Sequence, residues 1–590
     1  MRELSKEEIA YIDQNIGKIS ARKISRHLHI DKRIVERQIA RKNALMHPKP
    51  QFIAFFENAA LKIRSSISPA GVLALIVLVT CLLRLIYIVQ LRHTPFAAPF
   101  KGGLDDYVFD AWALDILKGN WLGDKIIYIY RMPLYVYLLA AIYFLFGHHY
   151  WIVYVIQVLL GSATIILVYL IGKEFFGKPT ALIAAALTAF YGPFMFYTGT
   201  LLGETLGVFL FYTSILFLVR FQRLRASSML FFSGILFGLS MLTRGNMLVV
   251  LPFVCLWLAL SSIKERAFRA IKYISIFLLG VIISLSPIII RNYIAEKDIV
   301  PITAIGGLNL YVGNGADANG KYRLVKGVGT DPKSMIEGSI EVAEKSAGRK
   351  LKPSEVSDYW VSETIKYVKG HNAASFFSLL FKKLAMTWNA YEIPDIWDYY
   401  FFKEFIPILR LPLVGFFIIA PFAFAGIYLA WPRRRDCALL YLIIAGYLLS
   451  LIAVFVASRY RVYIVPALAI FAAWGMVEGW RVIKTFDKKI MLLAICLIAG
   501  SAITLIDFGT TGFETSYNSL GIILKREGKT EAAIDAYNKA IKLAPKYPSP
   551  YYNLGILYRD TDKPDLAATY FKKSLEADPD FAPAKRELGE

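Results

Sequence analysis

The sequence predicts an all-α polytopic membrane protein with a short helical repeat at its C-terminus. Three features carry that reading. Several apolar stretches reach the ~17–25 residues that a helix needs to cross a bilayer. Lysine and arginine gather in the short segments that join alternate apolar runs. Tyr517, Leu520, Gly521, Ala533, Tyr537 and Pro545 recur 34 residues later as Tyr551, Leu554, Gly555, Ala567, Phe571 and Pro579, the period of the tetratricopeptide (TPR) repeat.

Composition agrees. Of 590 residues, 56% are hydrophobic and 14% aromatic. In a soluble protein the formal net charge of +22 would point to nucleic acid. Here much of the excess lies between apolar runs, where it retains loops on the cytoplasmic side, so a nucleic-acid partner is not expected. Cys81, Cys255, Cys437 and Cys496 all fall in or beside apolar runs and cannot staple loops together. The polar N-terminal stretch carries no cleavable signal pattern, and the first apolar run is expected to act as a signal anchor.

In chain order, residues 1–45 form a helix-turn-helix-like cap around ISARKISRHLHIDKRIVERQIARK, with Ile24, Leu28, Val35 and Ile39 as its core. A basic cytoplasmic cap against anionic lipid explains it at least as well as DNA binding. Eleven spans follow, at 69–91, 151–171, 179–198, 201–219, 228–243, 246–262, 272–290, 406–430, 437–457, 463–480 and 489–507. Met132 to Phe146 is left out, because its length gives about 22 Å at ~1.5 Å per residue against a hydrocarbon core of about 30 Å.

Parity supports that omission. With eleven spans, the loops holding Lys173 and Lys178, Arg220 to Arg225, Lys264 to Lys272, Arg433 to Arg435 and Arg481 to Lys489 share the cytoplasmic side with the basic N-terminus. A twelfth span would invert the later loops, so Met132 to Phe146 reads as a helix in the outer interface. Residues 92–150 and 291–405 are then outer loops. The second is too long to be structureless and ends in the amphipathic AASFFSLLFKKLAMTW. Residues 513–590 are two TPR helix pairs on the same outer side, expected to lean on a partner, on each other or on the membrane domain.

The candidate chemistry lies at the outer face. GGLDDYVFDAWALDIL places Asp105, Asp106, Asp110 and Asp115 just after the first span. Solvation at a helix start accounts for an isolated acid such as Asp115. Asp106 and Asp110 stand at i and i+4, where like charges weaken a helix, so something must compensate them. Glu204 lies just inside a span, where a carboxylate is costly and a functional candidate. Arg131, Arg244, Arg459 and Arg461 fall on the same side. Singly they read as snorkelling anchors; together with the acids they suit deprotonation of a hydroxyl while a phosphate leaves.

The order of LDDYVFDAWALDILKGNWLG, RMPLYVYLLAAIYFLFG, FYTGTLLGETL, GLSMLTRGN, SPIIIRNY, GGLNLYVGN and SRYRVYIVPALAIFAAWG resembles the GT-C glycosyltransferases related to protein O-mannosyltransferases and aminoarabinose transferases. The resemblance implies a GT-C transmembrane domain over residues 69–510 and a multi-pass protein of the cytoplasmic (inner) membrane. It implies transfer of a sugar from a polyprenyl-phosphate donor to a hydroxyl of protein, glycan or lipid, with inversion. It places Asp105 as catalytic base, Asp106 beside it, Glu204 as second acid, and Arg131 and Arg244 at the lipid phosphate, with Arg459 and Arg461 in a further basic motif. A polysaccharide ligase or polymerase using lipid-linked oligosaccharide, or a transporter with a TPR scaffold, is the alternative. His148 and His149 leave room for a divalent metal near the acids, but adjacent histidines lack helical ligand spacing, and no obligatory metal or cofactor is expected. The TPR region is expected to take a protein acceptor or partner.

Overall fold

The computed structural model describes residues 4–15, 21–31, 34–36, 38–39, 68–99, 104–123, 126–262, 267–325, 328–329, 332–509 and 512–589. The chain divides into two compact units, Met1–Val72 and Leu73–Glu590.

In the first unit, helices Lys6–Asn15 and Ala21–Leu28 bury Ile12, Ile24, Ile30 and Val35, with Leu28 and Ile39 partly buried beside them. The turn after the second helix passes through His29 at φ 52°. It is closed by the Ser25 hydroxyl, which donates to the Ile30 carbonyl at 2.7 Å. Residues 32, 33, 37 and 40–67, and with them the rest of the expected basic segment, lie outside the described residues.

Among its described residues the regular secondary structure of the second unit is helical, apart from a single β-bridge between Tyr191 and Val414. Each of the eleven expected spans contains a helix, and four are long and apolar enough by themselves to cross a membrane: Pro69–Leu91, Tyr150–Phe176, Glu204–Leu224 and Phe268–Glu296. The first is sided in the manner of a membrane helix. Thr80, Arg84, Tyr87, Ile88 and Leu91 face the protein, while Leu75, Leu78, Leu82 and Val89 are exposed.

The third expected span, 179–198, is broken. Its helix ends at Ala189, and a short helix Gly192–Phe196 and a tight turn Tyr197–Gly199 follow. Pro193 cannot donate to a continuing helix. The freed backbone is satisfied from the segment before Phe416–Leu429, with Gly192 N–H donating to the Val414 carbonyl at 3.1 Å and Val414 N–H to the Phe190 carbonyl at 2.9 Å. Irregular backbone at this depth is tolerated because protein covers it.

Two helix crossings run backbone on backbone. A methyl on Gly426 would stand 1.8 Å from the Phe471 carbonyl oxygen, and one on Gly234 would stand 2.0 Å from the Phe277 carbonyl oxygen. Small residues of this kind let membrane helices approach where apolar side chains gain nothing over lipid.

Between the first two spans, helix Pro133–Phe146 packs along Asp105–Leu117 and leaves Phe144, Leu145 and Phe146 exposed at its end. The 291–405 segment holds helices Gly306–Asn314, Pro332–Ala347, Pro353–Gly370 and Ala373–Thr387. The repeats are Glu514–Arg526 with Thr530–Leu543 and Pro548–Asp560 with Pro564–Ala577. Gly521 and Gly555 do the same work in each: an added methyl would meet the Tyr537 or Phe571 ring at 2.5 Å. The first repeat rests on the 291–405 segment, where Phe401 packs against Phe513 and Tyr517, and the Tyr517 hydroxyl donates to Glu404 at 3.1 Å.

Gly426→Val should lower the thermal midpoint of the detergent-purified protein, overpacking of this kind costing about 1–3 kcal/mol. Gly370→Ala, at a glycine with nothing within 4 Å of the added methyl, should leave the midpoint in place. Equal midpoints for the two variants would refute the close crossing.

Candidate active site

Five of the candidate residues stand where a helix begins or breaks. Asp105 is the first residue of Asp105–Leu117, and Glu204 the first of Glu204–Leu224, positions at which the positive helix end favours a carboxylate. Arg131 follows the turn Ile126–Tyr130 and precedes Pro133. Arg244 immediately precedes the turn Gly245–Val249, and Arg459 lies in the short helix Ser458–Arg461. These breaks present Glu204, Arg244 and Arg459 at the ends of spans, and Asp105 and Arg131 at the starts of the two helices between the first two spans.

All five line one cavity of about 420 Å³, within the ~300–1,000 Å³ range of small-molecule sites. A sixth charged residue, Asp395, joins them from the 291–405 segment. Leu202, Leu248, Val249, Ile302, Ile396 and Phe455 make much of the remaining wall apolar.

The charges are interlocked. Arg131 Nη1 donates to Asp105 Oδ1 at 2.7 Å and Arg459 Nη1 to Asp105 Oδ2 at 3.1 Å. Arg459 Nε also pairs with Asp395. Arg244 Nη1 donates to Glu204 Oε1 at 2.9 Å, and its guanidinium lies 3.7 Å from the centre of the Tyr460 ring. Glu204 Oε2 is buried without a hydrogen-bond partner. Burial alone would raise the Asp105 carboxyl, but Arg131 and Arg459 outweigh it and hold the group below the ordinary carboxylate range. Three acids and three arginines thus nearly cancel, leaving a site that can take an anion on its guanidinium groups and a proton on a carboxylate.

Asp106 and Asp110 do not line the cavity. They are buried behind it, on the side of the helix that meets Pro133–Phe146 and the start of Tyr150–Phe176. Asp110 accepts from the Tyr143 hydroxyl at 2.8 Å and the Tyr150 hydroxyl at 3.2 Å, and its Oδ1 lies 2.8 Å from His148 Nε2. These contacts compensate the like-charge spacing. Asp106 lacks such help: burial, with Asp105 and Asp110 nearby, pushes it up to about 7 despite a hydrogen bond from the Tyr107 backbone. His148 therefore serves a carboxylate at the rear of the helix, and among the described residues no cluster of three or more histidine, cysteine or acidic side chains is suited to a metal.

Arg461, expected alongside Arg459, points elsewhere. Two residues on in a helix turns the side chain to the opposite face. Arg461 pairs with Glu392 at 2.6 Å, donates to the Thr387 and Asn389 carbonyls at 3.2 and 2.5 Å, and lies against the Phe416 ring. Glu392 also accepts from the Tyr191 hydroxyl at 2.6 Å, which ties the 291–405 segment to the broken span. Lys383 is a second fastener. It is fully buried, donates to Asn314 Oδ1 at 2.7 Å and the Ile452 carbonyl at 3.1 Å, and burial pushes its amine down to about 7. These two cations hold the loop that delivers Asp395.

Residues 131–290 match the family model described as dolichyl-phosphate-mannose-protein mannosyltransferase, and residues 521–562 and 548–581 match TPR repeat models. Residues 131–290 are thus similar to that glycosyltransferase family, and the C-terminal residues to TPR repeats. A TPR repeat-containing protein of Methanocaldococcus jannaschii is 43% identical over 60 residues, which is 10% of this chain and 11% of that protein. Among solved structures, the Archaeoglobus fulgidus oligosaccharyltransferase AglB, in complex with an inhibitory peptide and a dolichol-phosphate, aligns with TM-score 0.42 and 14% identity over 78% of this chain and 59% of its own. ArnT from Cupriavidus metallidurans bound to undecaprenyl phosphate aligns with TM-score 0.42 and 12% identity over 88% and 77%. The chain therefore spans less than two thirds of the archaeal enzyme and about a tenth of the repeat protein.

Arg461→Met should destabilise the protein by about 3–5 kcal/mol, because it strands Glu392 as a buried unpaired charge. A thermal melt tests this, and an unchanged midpoint would show that Arg461 does not fasten the loop.

Proposed function

We propose that the protein is a GT-C glycosyltransferase that moves a sugar from a polyprenyl-phosphate carrier to a hydroxyl acceptor at the outer face of the cytoplasmic membrane, inverting the anomeric centre. The observation that carries this reading is the cavity in which Asp105 and Glu204 meet Arg131, Arg244 and Arg459 beside an apolar wall. The match of residues 131–290 to a dolichyl-phosphate-mannose transferase family supports it.

In the proposed reaction the acceptor oxygen attacks the anomeric carbon and its proton passes to Asp105. The bond from that carbon to the phosphate oxygen breaks, and its electron pair leaves with the polyprenyl phosphate. One displacement inverts the centre. The arginines meet the charge that grows on the leaving phosphate, an interaction strengthened by their burial. Phosphate leaves without a separate general acid, and the guanidinium groups supply the positive charge with no obligatory metal. Glu204 holds Arg244 in place, and the apolar wall takes the first isoprene units of the donor.

The N-terminal unit lies in the cytoplasm in this reading and the repeats lie outside, on the side of Asp105. The repeats bring a protein acceptor or partner to the outer face, and nucleic acid has no part in the function.

Asp105→Asn keeps the shape of the side chain and removes its basicity. Transfer from radiolabelled polyprenyl-phosphate sugars should fall by about 10²–10⁴-fold while the variant still inserts and binds donor. Full turnover would sink the base assignment. Orientation has its own test. With the four native cysteines replaced, a cysteine at Glu531 should react with a membrane-impermeant reagent applied outside, and one at Arg26 should not. A cysteine at Glu531 that is shielded like the one at Arg26 would put the repeats inside and require Pro133–Phe146 to cross.

A further inference from the structure

Asp395 arrives from the outer loop, and nothing in its sequence context marks it. Its carboxylate is 6% exposed and pairs with Arg459 Nε. Arg459 consequently lies between two carboxylates, with Nη1 on Asp105 and Nε on Asp395. Asp105 is committed on both oxygens, to Arg131 through Oδ1 and to Arg459 through Oδ2. A carboxylate in that state is a weak base, because each guanidinium contact stabilises the anion that would have to take the proton. The resting cavity therefore holds Asp105 in a form that must be released before it can act.

The two arginines differ in what else they can hold. Arg131 has the Pro332 carbonyl at 3.1 Å, a neutral partner. Arg459 has Asp395, a full counter-charge. An entering phosphate that recruits Arg131 and Arg244 removes one cation from Asp105 and leaves Arg459 to settle on one of its two carboxylates.

We propose that Asp395 is the positioning residue that draws Arg459 off Asp105 when the donor phosphate occupies Arg131 and Arg244, so that Asp105 becomes a competent base only in the donor-loaded enzyme. The inference rests on the transfer reaction proposed above. It makes addition ordered, with donor before acceptor, and it protects the site: without donor, the locked Asp105 does not activate water or a stray hydroxyl. Asp105 is faced by Arg131, Arg459 and Arg244, by Asp106 on its own helix, and by Tyr322 from the outer loop, with Glu204 acting through Arg244. Among these cations, Arg459 is the one that also pairs with Asp395.

The test is Asp395→Asn in the full-length protein reconstituted in nanodiscs with a polyprenyl-phosphate sugar. Arg459 then has Asp105 as its remaining carboxylate and stays on it. The turnover number should fall about 10–100-fold, and donor KM should stay level or drop. A base works when deprotonated, so its rate rises with pH through its pKa. Extra pairing lowers that pKa, and the rise should move about one unit toward acid while the plateau falls. Asp395→Glu should restore most of the rate. A residue that merely braced the loop would weaken thermal stability and donor binding together and leave the pH limb where it was. That result, or wild-type turnover in Asp395→Asn, overturns the inference. Asp105→Asn run in parallel separates the two claims. If it is inactive while Asp395→Asn behaves as wild type, only the role of Asp395 fails; if it keeps full turnover, the base assignment fails and the inference falls with it.

Discussion

The pairing of Asp105 with Arg131 and Arg459 is the contact on which the cavity end of the membrane domain converges. Asp105 comes from the segment after the first span, Arg131 from the lead-in to Pro133–Phe146, and Arg459 from the turn before the penultimate span. Buried charges are tolerated only when paired, so one carboxylate with two guanidinium partners fixes three distant segments relative to each other. Arg244 and Glu204 repeat the arrangement from two more helix ends.

Membrane insertion explains why these groups stand at breaks. A helix inside the bilayer satisfies its own backbone and cannot present a charged side chain cheaply. Where a span ends or is interrupted, the chain can turn a charge inward to a cavity while its backbone finds protein partners. The break at Gly192–Gly199 shows the cost being met, since Phe190 and Gly192 bond to Val414 and Gln157 donates to the Thr198 and Thr200 carbonyls at 3.1 and 2.9 Å. Glu204 follows directly from that interruption.

The 291–405 segment and the repeats form one continuous support. Arg461 and Lys383 fasten the loop to the span ends, Asp398 caps Tyr399–Phe402 through the Tyr400 and Phe401 amides, and Phe401 then receives the first repeat through Phe513 and Tyr517. Tyr517 is a repeat-signature residue spent on docking. The first helix of the array is therefore engaged with the membrane domain, and the second pair is the freer one.

Periodicity and charge suffice for much of this architecture. Apolar run length and the 34-residue spacing predict where the helices of the spans and repeats fall, because each depends on neighbours in sequence. The residues of the cavity are legible for a related reason: charge is so costly beside a bilayer that Asp105, Arg131, Glu204, Arg244 and Arg459 stand out where they occur. What sequence could not supply is direction and partnership. Asp106 and Asp105 are adjacent, yet a helix turns them to different faces, one buried away from the cavity and one lining it. Arg459 and Arg461 part in the same way. Asp395 and Lys383 are ordinary residues of a long loop, and only the folding of that loop over the span ends decides that one enters the cavity and the other locks its wall, since long-range packing leaves no local periodic trace.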